Sequence, residues 1–478
     1  GARRNEELYK GTNAALVAED PKTGQILALV GSRDYFDREI DGNFDVAMQG
    51  LRQPGSSIKP FTYCAAFMRG LSPDTVLFDV ETEFDATGDP ERSYKPGNFD
   101  DTFRGPINLR DALAQSINIP AVKTLYIAGI DNVIRLAHAA GITTLNERNR
   151  YGLSLTLGGG EVKLIDMVGA YSTLSQDGMH HRQSFILGVE DGGGKTLEKY
   201  ADVKDQALPQ QAVRLVNDIL SDADARAPLF GASSGLTSFA NQEVALKTGT
   251  TNDYRDAWTF GYTPSLVVGV WAGNNDNKPL EKHGGSILAA VPIWSAFMKE
   301  ALKGKPFEPF PRPDETIADK PVLNGDYAVN GEIHSILYYI DRKNPLGDAP
   351  QSPEKDSQFK NWEDGIIAWM EKNPSFVVGI PVTATSSQAV AIDFLSPKNG
   401  EFAISPFVVQ ASIAGREDVI RIETYLNDRL IGQESIQPTK EISYRTTVSS
   451  PLDQQNKLTI RAFTAKDSTA KDMIIFGR

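Results

Sequence analysis

The strongest constraint on the fold is a split distribution of strand signals. Two β-type runs, Ala14 to Ala18 and Gln25 to Val30, flank the turn-like Asp20-Pro21-Lys22-Thr23-Gly24 near the start of the chain and read as a hairpin. Three more runs, Glu243 to Lys247, Asp256 to Tyr262 and Leu266 to Ala272, come only far downstream, separated by Gly and Pro punctuation as antiparallel neighbours require. Between the two groups, helical patterns occupy Ser56 to Met68, Leu109 to Ile127, Ile130 to Ala140, Leu164 to Gln176 and Gln211 to Leu220, and Val291 to Leu302 reads as a closing helix. Strands at both ends of a helical middle predict an α+β domain, an antiparallel β-sheet flanked by helices whose strands come from distant parts of the chain.

With 478 residues the chain is longer than one core usually supports. From residue 305 to about Pro381 prolines and polar residues accumulate, which predicts a linker wrapping the surface, interrupted by one helix at Phe359 to Lys372. Short alternating runs follow at Ala389 to Leu395, Phe407 to Ile413, Val419 to Leu426, Ile442 to Thr447, Leu458 to Phe463 and Met473 to Phe476. Their spacing predicts a small all-β sandwich of immunoglobulin type. The expected organisation is therefore 1–12 as residual upstream linker, 13–304 as the α+β domain, 305–380 as linker and 381–478 as the sandwich. Gly1 stands where an initiating Met would, so an upstream segment is expected to have been lost. No stretch approaches membrane-spanning length, and no signal peptide opens the chain.

Composition removes several function classes. A formal net charge of -13 with no basic cluster repels phosphate backbones, so nucleic acid is not an expected partner. Cys64 is the only cysteine, which excludes an internal disulfide, a thiolate metal cage and a redox pair. It lies in the apolar run Phe61 to Met68 and reads as a small buried hydrophobe. The five histidines, His138, His180, His181, His283 and His334, lack ligand spacing, and His180-His181 reads as a solvated pair in a turn. Neither a metal nor a cofactor is expected.

Three short motifs carry chemistry. In Gln53-Pro54-Gly55-Ser56-Ser57-Ile58-Lys59-Pro60, residues three apart at a helix start share a face, so the Lys59 amine can serve the Ser56 hydroxyl. A serine is a poor nucleophile until a base takes its proton, and a lysine does so only when burial or a nearby cation lowers its pKa. N–H groups at that helix start point at any oxyanion that forms. Alone, the spacing fits an ordinary helix start with an exposed Lys. In Ser116-Ile117-Asn118, a hydroxyl and an amide two apart can point the same way, although Ser and Asn ahead of Pro120 are also common turn chemistry. In Lys247-Thr248-Gly249-Thr250-Thr251, Gly249 leaves room for a ligand backbone to pair with the strand, while Lys247, Thr248 and Thr250 offer charge and hydroxyls to a carboxylate. A polar edge strand running into a loop would look the same.

In this order the three motifs resemble the penicillin-binding protein and serine β-lactamase superfamily, whose motif set is a known signature. Tyr94-Lys95-Pro96-Gly97-Asn98-Phe99, Leu157-Gly158-Gly159-Gly160-Glu161-Val162, Asp256-Ala257-Trp258, Gly261-Tyr262-Thr263-Pro264 and Val270-Trp271-Ala272-Gly273 are similar to the transpeptidase domain of bifunctional (class A) penicillin-binding proteins, from about Asn13 to Gly304. The resemblance implies a peptidoglycan D,D-transpeptidase that cross-links stem peptides ending in D-Ala-D-Ala through a serine acyl-enzyme and is acylated by β-lactam antibiotics. It assigns Ser56 as nucleophile, Lys59 as base, Ser116 as proton relay, Asn118 as a holder of side chains or of donor peptide, and Lys247 as the group keeping that network polarised. Thr248, Gly249, Thr250 and Thr251 would bind substrate, and the backbone N–H groups of Ser56 and Thr250 would form the oxyanion hole. It also implies an extracytoplasmic setting, a membrane anchor and a glycosyltransferase domain upstream, both absent from these residues, and cell-wall synthesis proteins as partners.

Two other readings share the motifs. A serine β-lactamase needs a carboxylate poised for deacylation, and Glu161, after three glycines, reads instead as helix-start electrostatics. A β-lactam-sensing or scaffolding binding protein would keep the acylation residues. The C-terminal sandwich is expected to dock to wall glycan or a partner protein, or to act as a passive spacer.

Overall fold

The computed structural model describes residues 1–315, 317–329, 332–373, 390–397, 399–464 and 468–477. Contacts divide the chain into two units, one of Gly1–Tyr327 with His334–Trp369, the other of Ala328–Ile333 with Met370–Arg478.

The first unit is built on a five-stranded antiparallel sheet ordered Gln25–Val30, Asn13–Asp20, Leu266–Gly273, Asp256–Thr263, Ala245–Thr250. The hairpin at the start of the chain thus completes a sheet whose other strands come from far downstream. Successive side chains on a strand face opposite ways. Trp258, Phe260, Tyr262 and Trp271 enter the core shared with the helical middle, where Tyr171 of helix Leu164–Ser175 stacks on Phe260 at 4.7 Å. Ala257, Val268, Val270 and Ala272 face the other way, onto Trp294 and Met298 of helix Val291–Ala301. Both faces are covered, so every residue of Asp256–Thr263 and Leu266–Gly273 is buried.

Residues at both margins of the expected domain fold with this unit. Residues 1–12 were expected as linker, but Ala2–Tyr9 is a helix, and buried Asn5 donates from Nδ2 to the Ala289 carbonyl at 2.9 Å. In the proline-rich stretch Phe310, Val322, Leu323, Ile336, Leu337, Ile340 and Trp362 all enter the main core. Apolar side chains spaced too widely to show a period pin this stretch down. Helix Phe359–Lys372 lies where it was predicted.

From Val390 on, the described residues of the second unit form β-structure, with strands Val390–Ser396, Phe402–Ala403, Phe407–Leu426, Arg429–Val448, Asn456–Thr464 and Ser468–Gly477. Phe407–Ile413 and Val419–Leu426, expected as separate runs, form one strand. Its register with Arg429–Val448 shifts between Ala414 and Val419, so the polar residues that resemble a turn are absorbed as an irregularity. On its other side the long strand pairs first with Val390–Ser396 and then with Asn456–Thr464, and one apolar core collects both halves. Among the described residues Arg429–Val448 pairs only with the long strand, so it is an edge there and accommodates Pro438. The expected boundary near Pro381 and the start of the run at Ala389 lie outside the described residues.

Among the described residues no helix is long and apolar enough to cross a membrane. His180 and His181, expected in a solvated turn, lie in the strand Met179–His181, where buried His181 binds Asp202 at 2.7 Å. Cys64 is fully buried, and burial pushes its thiol up to about 12.

Candidate active site

The Ser56 motif begins as a tight 3₁₀ turn, Gly55–Ile58, ahead of helix Lys59–Phe67. Ser57 holds the turn closed, with both its N–H (3.2 Å) and its Oγ (2.7 Å) donating to the Pro54 carbonyl. Tyr171 Oη donates to the Ser57 carbonyl at 2.7 Å and Trp258 Nε1 to the Gln53 carbonyl at 2.8 Å, so helix and sheet both grip the turn. Ser57 is thereby spent on structure. Half-buried Ser56 has no side-chain hydrogen-bond partner among the described residues, and its N–H lies in a first turn that offers no intrahelical acceptor.

Strand Ala245–Thr250 is the sheet's outer strand and lies directly on this turn. A methyl group on Gly249 would sit 2.2 Å from the Pro54 carbonyl oxygen, and one on Gly55, whose φ is 54°, would sit 2.6 Å from the Thr250 carbonyl oxygen. The missing side chain of Gly249 makes room for the serine turn. Thr251 N–H donates to the Asp256 carbonyl at 3.1 Å, which sets the alternation of the ladder. Residues 247, 249 and 251 turn their amides inward, so Thr248 and Thr250 present theirs to the open edge.

The Ser116 motif breaks what was expected as one helix from Leu109 to Ile127. Helix Leu109–Ala114 stops, Ser116 adopts φ of 64°, and a new helix runs Asn118–Ala128. Pro120 forces the break, because inside a continuous helix its ring would strike the carbonyl four residues back, that of Ser116. The freed carbonyls become the lysine's ligands. Lys59 Nζ donates to the Ser116 carbonyl (2.7 Å), the Ile117 carbonyl (3.0 Å) and Asn118 Oδ1 (2.8 Å). Lys247 Nζ donates to Ser116 Oγ at 2.7 Å and to the Thr248 carbonyl at 3.0 Å. Ser116 therefore bridges two buried lysines, through its carbonyl to one and its hydroxyl to the other.

Burial, then the positive charge of Lys247, push the Lys59 amine well below the ordinary lysine value, opposed by the negative charge of Asp79. Burial pushes Lys247 down to about 7. These are the two causes that serine activation by a lysine requires.

Of the remaining residues, Thr250 Oγ1 donates to Ser286 Oγ and accepts from the Ser286 N–H, both at 3.0 Å, and Thr248 is buried beside it on the strand. The Thr251 hydroxyl accepts from the Asp256 N–H at 2.8 Å and tightens the loop between two strands. Glu161 lies near Arg150, with 3.5 Å between charged groups. Asp79 and Ser286 escaped the sequence reading, Asn98 appeared only as a flank, and Tyr254, whose ring meets Phe99 at 5.8 Å, was not singled out. With 62 acidic residues in the chain, no local signal distinguished Asp79. Among the described residues no group of three or more His, Cys, Asp or Glu side chains is arranged to hold a metal ion.

The sequence profile of the family described as "Penicillin binding protein transpeptidase domain" matches residues 14–299. The chain belongs to this family. Penicillin-binding protein 1A of Aquifex aeolicus is 34% identical over 313 residues, covering 65% of this chain and 41% of the relative. Penicillin-binding protein 2D of Bacillus subtilis is 33% identical over 367 residues, covering 73% and 51%. The chain thus spans about two fifths to one half of the length of these penicillin-binding proteins. A solved structure of the PonA1 protein from Mycobacterium tuberculosis in complex with penicillin V superposes with a TM-score of 0.56 at 29% identity, covering 65% of this chain and 84% of that one. The transpeptidase match ends at residue 299, so it contains all three motifs and stops before the second unit.

Proposed function

We propose that this chain is a serine D,D-transpeptidase acting on peptidoglycan stem peptides that end in D-Ala-D-Ala, and that β-lactams acylate it at Ser56. The observation that carries the reading is the Lys59–Ser116–Lys247 bridge, seated beside a serine turn that presses on the open edge of the Lys-Thr-Gly strand. A neutral amine donates two hydrogen bonds where an ammonium donates three. Deprotonated Lys59 would therefore release one of its three oxygens and hold a lone pair for the Ser56 proton.

Ser56 Oγ would attack the penultimate D-Ala carbonyl while Lys59 takes its proton. The N–H groups of Ser56 and Thr250 would receive the developing oxyanion. Collapse would expel D-Ala as an amine, protonated through Ser116 Oγ, with Lys247 keeping that hydroxyl polarised. An amine from a second stem would then attack the ester and release Ser56 as the cross-link forms. Lys247, Thr248 and Thr250 would hold the terminal carboxylate. Asn118 would keep Lys59 and the Ser116 backbone in register. The proposal extends to an extracytoplasmic location and to a membrane anchor and glycosyltransferase supplied by sequence outside these residues.

Labelling with fluorescent penicillin tests the nucleophile. Wild type should carry a long-lived covalent adduct on Ser56 and Ser56→Ala none. Labelling of Ser56→Ala, or an adduct that clears within seconds, would refute the transpeptidase reading.

A further inference from the structure

Behind Asn118 lies a second row of buried polar groups that the reaction as drawn does not use. Asp79, at the end of strand Val76–Asp79, is fully buried and accepts from the Arg104 N–H (3.0 Å), from Arg104 Nη1 (3.5 Å) and from Asn98 Nδ2 (2.7 Å). Each of these contacts brings a donor and favours the carboxylate, while burial, the larger effect, pushes its pKa up. Asn98 Nδ2 also donates to the Thr102 carbonyl at 2.7 Å. With its amino group committed, Asn98 turns Oδ1 to the start of helix Asn118–Ala128, where it accepts from the N–H groups of Asn118 (2.9 Å) and Ile119 (3.3 Å). Those two helix-start donors have no intrahelical acceptor, and Ile117 supplies no side-chain cap.

Backbone groups settle the orientation of both amides. A peptide N–H can only meet the oxygen of Asn98, and the Gly97 carbonyl, 2.9 Å from Asn118 Nδ2, can only meet a donor. Asn118 is left with its oxygen on Lys59 Nζ.

We propose that Asp79 is a positioning residue which, through Asn98, locks the start of the Asn118 helix and thereby fixes the oxygen ligands of Lys59. The inference rests on the Ser56 acylation reading above. Asp79 also acts on Lys59 through space, since its negative charge holds the lysine's proton affinity up against burial and Lys247. An asparagine at position 79 would present its amino group either to the Arg104 donors or to Asn98, which could meet it only by turning its own amino group onto the helix N–H groups.

The test measures the second-order rate constant of penicillin acylation against pH, with thermal midpoints recorded for each variant. Asp79→Asn is expected to slow acylation on the order of 10- to 100-fold. Its acid limb should move to lower pH, because removing a negative charge makes Lys59 easier to deprotonate. Asn98→Asp sets two carboxylates together and should lose acylation. The swap Asp79→Asn with Asn98→Asp restores one carboxylate facing donors but sets an oxygen of residue 98 against the Thr102 carbonyl, so it should be faster than Asn98→Asp and slower than wild type. Asp79→Asn with wild-type rate and limb, or a uniform loss without a shift, overturns the proposal. If Asp79→Asn does not fold, a swap no faster than Asn98→Asp overturns it. Wild type that takes no penicillin at all would instead refute the acylation reading, so the two failures are distinguishable.

Discussion

Two adjacent threonines of the Lys-Thr-Gly strand illustrate how much one residue of register decides. Thr250 turns its backbone to the open edge and its hydroxyl to Ser286, whereas Thr251 turns inward and caps Asp256. Thr250→Ala is expected to slow penicillin acylation at least tenfold, while Thr251→Ala should leave the rate within about twofold and lower stability by about 1 kcal/mol. Stopped-flow acylation and urea unfolding check the pair. The lysines allow a sharper test. In the proposed mechanism neutral Lys59 is the reactive form, so acylation should rise with pH through its pKa, which Lys247 lowers. Lys247→Ala removes the cation, so the acid limb of the acylation profile should move to higher pH, opposite to the shift expected for Asp79→Asn.

Individual elements here serve as supports for one another. The serine turn and the outer strand touch through backbone at Gly249, so Gly249→Ala must push them apart and should reduce acylation on the order of 100-fold, as measured with fluorescent penicillin. Helix Phe359–Lys372 packs beside the antiparallel pair of strands Val76–Asp79 and Gly105–Asn108. Trp362 is buried against Phe84 and Tyr126 and covers Lys123 Nζ at 5.2 Å, while Lys123 donates to the Phe78 carbonyl at 2.8 Å. Trp362→Ala should destabilise the first unit by about 3–5 kcal/mol, read from the shift of its denaturant midpoint. The broken helix shows where reading by period falls short. Apolar spacing runs straight through residues 109–127, and only Pro120, read for the carbonyl four residues behind it, marks the interruption at Ser116 that supplies the ligands of Lys59.

At the scale of the molecule, buried cations link stability to pH. Burial pushes Lys123 and Lys247 each down to about 7, against about 10.4 in an unfolded chain. Between those values the unfolded chain binds more protons, so stability rises with pH from about 7. Cys64, pushed up to about 12 by burial, works the other way above about pH 8.5. The thermal midpoint of the first unit should therefore climb between about pH 7 and about pH 8.5, and Lys123→Met should flatten the climb. The covering of both sheet faces explains why strands and helices were legible, since long apolar runs and helical periods are local patterns. The margins were less so. The stretch from Phe310 to Trp362 contributes to the first core through isolated apolar side chains such as Phe310, Leu323, Ile336 and Trp362, and the 20-residue strand Phe407–Leu426 hides behind a polar stretch that its partner absorbs.

The amino-acid sequence by itself determined the α+β arrangement, the order of three motifs and the family they belong to, because each is written in short-range spacing. Only the tertiary structure decided that Ser57 is structural where the Ser56 hydroxyl has no partner among the described residues, that Gly249 serves the serine turn, that Thr251 is a loop fastener and that Asp79 stands behind Asn118. Those outcomes depend on which groups from distant segments share a buried space. A hydrogen bond between residues far apart along the chain leaves no periodic trace along it.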